Sequence, residues 1–190
     1  ELLEERFDVE GLIEAVVRMM DSRAFSSGLK IQQNVQSGLP PLFAHPRLIR
    51  QVLINIVGNS VKYSRSGGII DVKAFIAPDG NLKLVVSDTG IGIPKEKIRD
   101  ALEPFGQVGK PLDSSGMQGT GLGLPLAKAM TELHGGTLLL ESEVAKGTTV
   151  TLTIPGWRLG AKDKSGTGSV KPKVSPMAAL AKGKIPQKTG

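Results

Sequence analysis

Three stretches of this 190-residue chain carry residue types whose spacing can do chemistry. Asn55, Asn59 and Lys62 stand at i, i+4 and i+7, so on a helix two amides and an ammonium share one stripe. Asparagine is a mediocre mid-helix residue, and its amide oxygen is a hard ligand suited to Mg²⁺, so two aligned asparagines point to a purpose. An ordinary solvated helix face fits the same spacing. The second stretch, Asp88-Thr89-Gly90-Ile91-Gly92-Ile93-Pro94, follows a β-rich run. Its glycines let the backbone turn tightly and approach a flat ligand, while the carboxylate can accept hydrogen bonds from an amino group such as that of adenine. Read without its surroundings, it is also a plain turn. The third, Gly119-Thr120-Gly121-Leu122-Gly123-Leu124-Pro125, leads into a helix with proline in its first turn, an arrangement that offers backbone N–H groups to phosphate. It is not a dinucleotide fingerprint, because Leu124 stands where that pattern requires glycine and no βαβ unit surrounds it. A Walker loop fails too, since no Gly-Lys-Ser/Thr follows.

The elements that must position these residues can be read from periodicity. Asp8 reads as an N-cap, and Val9, Leu12, Ile13, Val16, Val17 and Met20 recur at helical spacing until Gly28. A strand around 29–35 leads through Gly38-Leu39-Pro40-Pro41 to a second helix, about 46–64, with Ile49, Val52, Leu53, Ile56 and Val57 on its apolar side. Runs at 69–76 and 82–87 form a hairpin across Pro78-Asp79-Gly80. A short helix near 95–102, a polar stretch at 106–118, a third helix about 124–134, and strands near 137–142 and 148–154 complete the pattern. This order predicts an α+β fold with helices on one face of a largely antiparallel sheet.

Composition narrows the classes. With no cysteine there is neither a disulfide framework nor a thiolate metal site, and two distant histidines leave zinc unsupported. No apolar run approaches the roughly 20 residues of a membrane span, and no signal-peptide pattern precedes Glu1, so the chain reads as a soluble piece of a longer protein. The net charge of +6 is unevenly placed: from Gly156 onward Arg158 and seven lysines face Asp163 alone, leaving residues 1–155 at −1. A nearly neutral folded part with seven aromatic residues in the whole chain argues against nucleic acid as a partner. The Gly/Pro/Lys-rich stretch beyond 155 holds too little apolar surface to offset ordering entropy, so 160–190 is expected to be disordered or to order only on a membrane or acidic partner.

Taken in order, the motifs are specific. Gln51–Ser64 resembles the N box of the catalytic ATP-binding domain of bacterial sensor histidine kinases, in the superfamily shared with DNA gyrase, Hsp90 and MutL. Asp88–Pro94 is similar to its G1 box, Glu103–Gln107 to its F box, Gly119–Leu124 to its G2 box and Gly147-Thr148-Thr149 to its final glycine box. The resemblance covers about residues 7–155, with 1–6 as the end of a linker from dimerisation helices and 156–190 outside it. It implies a Bergerat-type two-layer α/β sandwich, with a mixed, mostly antiparallel sheet.

The resemblance also implies ATP and Mg²⁺ as ligands. Asp88 would bind the adenine amino group, with Thr148 and Gly92 supporting that pocket; Asn59 would hold Mg²⁺; Asn55 and Lys62 would place the phosphates beside Tyr63. Gly90, Ile93, Phe105, Thr120, Leu122 and Leu124 would line the nucleotide, and Gly119, Gly121 and Gly123 would let a lid at 106–118 close. The reaction implied is transfer of the γ-phosphoryl group to a histidine on a dimerisation and phosphotransfer domain of the same parent, and from there to a response regulator. The parent would be a homodimer, often anchored in the inner membrane; this domain would be cytoplasmic and monomeric alone. A nucleotide-binding scaffold without transfer, or an ATPase of the superfamily, are the alternatives. The ATPases typically place a water-activating Glu where this chain has Asn55, and an amide takes no proton from water. His45 stands where the family usually has Asp, at a helix-capping position, and His134 before Gly135-Gly136 reads as a helix-end structural residue. Neither lies in a His-Glu/Asp-x-x-x-Pro phosphoacceptor setting.

Overall fold

A computed structural model describes residues 3–104 and 121–160. The elements follow as β1 (Glu5–Phe7), α1 (Val9–Ser26), β2 (Lys30–Val35), β3 (Leu42–Ala44), α2 (Pro46–Tyr63), β4 (Ile69–Ile76), β5 (Leu82–Asp88), α3 (Ile98–Leu102), α4 (Gly123–Leu133), β6 (Thr137–Glu143) and β7 (Gly147–Ile154). Single 3₁₀ turns occupy Lys95–Lys97 and Gly156–Arg158.

The main sheet has the order β2-β4-β5-β7-β6. Only β2 and β4 run parallel; the other three pairings are antiparallel. Alternation along the strands sends Ile70, Val72, Leu84, Val86, Val150, Leu152 and Ile154 to one face, where they are buried with Ile13, Ile49, Leu53 and Ile56 of the helices. Burying one such aliphatic side chain contributes about 1.5–3 kcal/mol. The opposite face is largely polar, with Lys83 hydrogen-bonded to Thr153 (2.8 Å) and Ser87 to Thr149 (3.0 Å) across the strands. The domain is therefore two layers, α1, α2 and α4 over one face of a mixed sheet, as the sequence predicts.

Helix α1 starts where Asp8 accepts from the amides of Glu10 (3.1 Å) and Gly11 (3.0 Å). Those amides have no partner inside the helix, so Asp8→Ala is expected to cost about 1 kcal/mol, with Asp8→Asn retaining most of it. The urea midpoints of the two variants check this. Helix α2 starts differently. His45 is the N-cap residue, as its position predicts, but its side chain makes no capping bond there, and its Nδ1 is buried without a partner among the described residues. Pro46 fixes the first turn instead, and the His45 amide donates to Nε2 of His134 (3.1 Å).

The packed unit also reaches beyond the edges 7 and 155 drawn from sequence. β1 pairs antiparallel with β3, Glu5 opposite Ala44, in a separate two-stranded sheet. Leu159 bridges to Leu42, and Arg158 is buried against Glu4, Phe43 and His134. Among the described residues, no helix is long and apolar enough to cross a membrane.

Candidate functional site

The buried side of α2, built on Ile49, Val52, Leu53, Ile56 and Val57, leaves its polar stripe turned toward the start of α4. Asn55 is committed at both ends of its amide: Nδ2 donates to the carbonyl of Gly123 (3.2 Å) and Oδ1 accepts from Gln51 Nε2 (2.9 Å). Asn59 lies against the same residue, since a Cβ built on Gly123 would rest 3.5 Å from its amide nitrogen and 3.8 Å from its amide oxygen. Lys62 sits one turn on, its ammonium 5.5 Å from the centre of the Tyr63 ring. At the head of α4, Gly121 adopts φ +69°, and the first helical turn that follows leaves its N–H groups without partners inside the helix, pointing out of its N-terminal end.

Asp88 ends β5. Its Oδ1 accepts from the amides of Gly90 (2.9 Å) and Thr148 (3.2 Å), and its Oδ2 from the hydroxyl of Ser60 (2.8 Å), the residue after Asn59. One serine thus ties the helix that carries the asparagines to the carboxylate on the sheet. Burial pushes the Asp88 carboxyl above the usual carboxylate range, while the bonds from Ser60, Gly90 and Thr148 oppose that rise. Two glycines make this approach possible. A Cβ on Gly90 would stand 2.6 Å from the Tyr63 carbonyl and 2.7 Å from Asp88 Oδ1, and one on Gly147, at φ +121°, would collide with the Asp88 carbonyl.

Behind this pocket the Ser142 hydroxyl accepts from the Ile93 amide (2.8 Å), donates to the Gly147 carbonyl (2.9 Å) and meets the Thr148 hydroxyl (2.8 Å). Because Gly147 can only accept, the single Ser142 proton goes there, and Thr148 donates to Ser142. Ser142 and Ser60 were missed from sequence. A serine within a strand or helix carries no pattern of its own, and the only available signal was position: one residue beyond Asn59, and the strand partner of Thr148.

Of the residues singled out from sequence, Asn55, Asn59, Gly121, Leu122, Gly123 and Leu124 meet at the α2–α4 junction, with Lys62 and Tyr63 at the end of α2. Asp88, Gly90, Gly92, Ile93 and Thr148 gather at the ends of β5, β6 and β7. Phe105, Gly119, Thr120 and the lid at 106–118 lie outside the described residues. No group of three or more His, Cys, Asp and Glu that could hold a metal occurs among the described residues. A cation here would take one amide oxygen from Asn59 and its remaining ligands from water and bound phosphate, which suits Mg²⁺ and its reluctance to dehydrate.

The family model for histidine kinase-, DNA gyrase B-, and HSP90-like ATPases matches residues 44–158, from the last residue of β3 to buried Arg158. The chain belongs to this family. Within it, the chain is a domain of the histidine kinase class, as its relatives are named. An uncharacterized sensor-like histidine kinase of Rhizobium meliloti is 39% identical over 165 residues, covering 86% of this chain and 31% of that protein. The histidine protein kinase DivJ of Caulobacter vibrioides is 34% identical over 149 residues, covering 78% and 24%. The chain thus spans about a third or less of these relatives. Full-length ShkA in complex with AMPPNP superposes with a TM-score of 0.72 at 30% identity, over 82% of this chain and 31% of that one. The nucleotide-free catalytic domain of ThkA shares the fold, with a TM-score of 0.68 at 23% identity over 80% and 95%.

Proposed function

We propose that this domain binds Mg-ATP and donates its γ-phosphoryl group to a histidine on a dimerisation and phosphotransfer domain of the same parent, which passes it to a response regulator. The observation that carries the reading is the linked pair of sites: Asp88 held at a strand end by Ser60, Gly90 and Thr148, and Asn59 lying against the first residue of α4. Asp88 presents a carboxylate to the adenine amino group. The α4 N-terminus presents backbone amides to the phosphates, with Lys62 adding positive charge. The AMPPNP complex of the related ShkA supports the choice of an adenine nucleotide. Bound magnesium would supply charge neutralisation at the phosphates, with Asn59 Oδ1 as its protein ligand.

The transfer breaks the bond between the γ-phosphorus and the β,γ-bridging oxygen, forms a phosphorus–nitrogen bond on the acceptor imidazole, and leaves ADP. Such a reaction needs positioning and charge neutralisation more than covalent chemistry by this domain. Asn55 fits that role. Both ends of its amide are taken by Gln51 and Gly123, so it fixes the junction and activates no water.

Titration with a fluorescent ATP analogue tests the reading. Asn59→Ala is expected to lower affinity about 10- to 100-fold in magnesium, the size of a contact to a charged group, and to leave affinity in EDTA unchanged. Adding the parent's histidine-bearing helices in trans with labelled ATP should place label on that histidine. Binding without transfer would favour a scaffold role, and a folded wild type that binds no nucleotide would overturn the proposal.

A further inference from the structure

His134 is buried, with 0% of its surface exposed, at the C-terminal end of α4 and far along the helix from the glycines that open it. Both ring nitrogens are engaged. Nε2 receives the His45 amide (3.1 Å), and Nδ1 lies 2.7 Å from the Met130 carbonyl. A backbone amide can only donate and a carbonyl can only accept, so the ring is neutral with its proton on Nδ1.

The bond to His45 has a counterpart. At the other end of the same helix pair, Asn55 Nδ2 donates to the Gly123 carbonyl (3.2 Å). The head of α2 therefore meets the tail of α4, and the middle of α2 meets the head of α4, which makes the two helices antiparallel neighbours. His45 and Asn55 are ten positions apart, and Gly123 and His134 eleven. At 1.5 Å per residue these intervals are about 15 Å and about 16.5 Å. The two bonds are thus matched rungs, one at each end of the α2–α4 contact, and together they fix how far α4 can slide along α2.

We propose that His134 is a positioning residue for the phosphate end of the nucleotide site: its neutral ring is the far rung that holds α4 in register on α2 and so keeps Gly123 against Asn55 and Asn59. This rests on reading the site as nucleotide-binding. The base pocket is built separately, from β5, β6, β7 and Ser60, so the rung acts on phosphate binding and not on the purine.

Protonation removes the rung, because an Nε2–H would face the His45 N–H. The groups around the ring are Arg158, whose Nε donates to the His134 carbonyl (2.6 Å), Glu4, which pairs with Arg158, and His45 at the head of α2. Burial, with help from Arg158 and His45, lowers the His134 pKa below its ordinary 6.5, against the opposing pull of the Met130 carbonyl and Glu4. The rung is therefore intact at pH 7 to 8 and is lost as pH falls through the depressed value. The unfolded chain takes up this proton more readily, so stability also declines once pH drops below 6.5.

Three variants of the folded domain test the inference: wild type, His134→Gln, whose side-chain oxygen can still accept from His45 but does not titrate, and His134→Leu, which cannot accept. Each is titrated with a fluorescent ATP analogue in magnesium, and with adenosine by NMR shift perturbation, from about pH 5 to about pH 8, the range over which histidine changes charge. Nitrogen-15 spectra of wild type read the His134 tautomer without any nucleotide. Expected are an Nδ1–H tautomer, and wild-type ATP affinity that falls toward acid pH more steeply than that of His134→Gln, the comparison cancelling titration of the triphosphate itself. His134→Leu should bind ATP about five- to tenfold more weakly at pH 7.5, the size of one lost hydrogen bond, with adenosine affinity unchanged. An Nε2–H tautomer, parallel pH profiles for wild type and His134→Gln, or equal losses of ATP and adenosine in both variants would overturn it. A wild type with the Nδ1–H tautomer that binds no ATP would instead overturn the nucleotide reading, and the inference with it.

Discussion

Asp88→Asn is expected to weaken binding of an adenine nucleotide about 10- to 100-fold while leaving the domain at least as stable as wild type at pH 7. The two effects part because the side chain serves two masters. Toward the protein, the Asn oxygen can keep accepting from the Gly90 and Thr148 amides, and the new amide nitrogen can donate to Ser60, whose hydroxyl is able to accept. Toward the ligand, the nitrogen puts a donor where the purine presents an amino donor, and the negative charge is gone. The stability sign follows from the raised Asp88 pKa. A carboxyl whose folded value lies above 3.8 stabilises the fold in its protonated form, and that contribution is lost as pH rises through the folded value. At pH 7 wild type carries the cost of a buried carboxylate and the amide does not. Urea unfolding at pH 7 alongside analogue titration separates the outcomes: unchanged affinity would remove Asp88 from the base pocket, and affinity lost together with stability would make it a purely structural residue.

Much of this site was legible because its chemistry is written in short range. Asn55, Asn59 and Lys62 are set by one helical period, Asp88 to Gly92 by one strand end, and Gly121 to Leu124 by one helix start; each needs only local spacing to be read. The bonds that join the three stretches are not local. Ser60 to Asp88 spans 28 residues, Ile93 to Ser142 spans 49 and Asn55 to Gly123 spans 68, and no periodicity encodes such contacts. Element limits behaved similarly. Helices α1 and α2 and the β4–β5 hairpin were readable because each runs long enough for a period to show, whereas β1 and β3, at three residues each, are too short for a two-residue alternation. The parallel β2–β4 pairing was not legible either, since it depends on α2 carrying the chain back across the helical layer.

The largest misreading by type concerns Arg158, which sequence counts with the seven lysines of the basic stretch from Gly156 onward, outside the domain. Its side chain is only 7% exposed, and its guanidinium donates to the His134 carbonyl (2.6 Å), the Phe43 carbonyl (2.8 Å) and Glu4 (2.8 Å) while lying 4.5 Å from the Trp157 ring. A planar fork can reach these three acceptors together, a geometry that a lysine ammonium on its flexible stem does not reproduce. Arg158→Met fills comparable volume but strands two carbonyls and a largely buried carboxylate, so it is expected to cost about 3–5 kcal/mol. For a domain of this size that lowers the melting temperature by about 10 °C. Arg158→Lys should recover a part of the loss, and a chain ended at Pro155 should melt with Arg158→Met rather than with wild type, because it lacks the same guanidinium. Pairing Arg158→Met with Glu4→Gln sharpens the measurement: once the stranded charge is gone, the double variant should be more stable than Arg158→Met alone. If all of these melt with wild type, the β1–β3 sheet and the turn after β7 are not held through Arg158, and the domain ends where the periodic pattern ends.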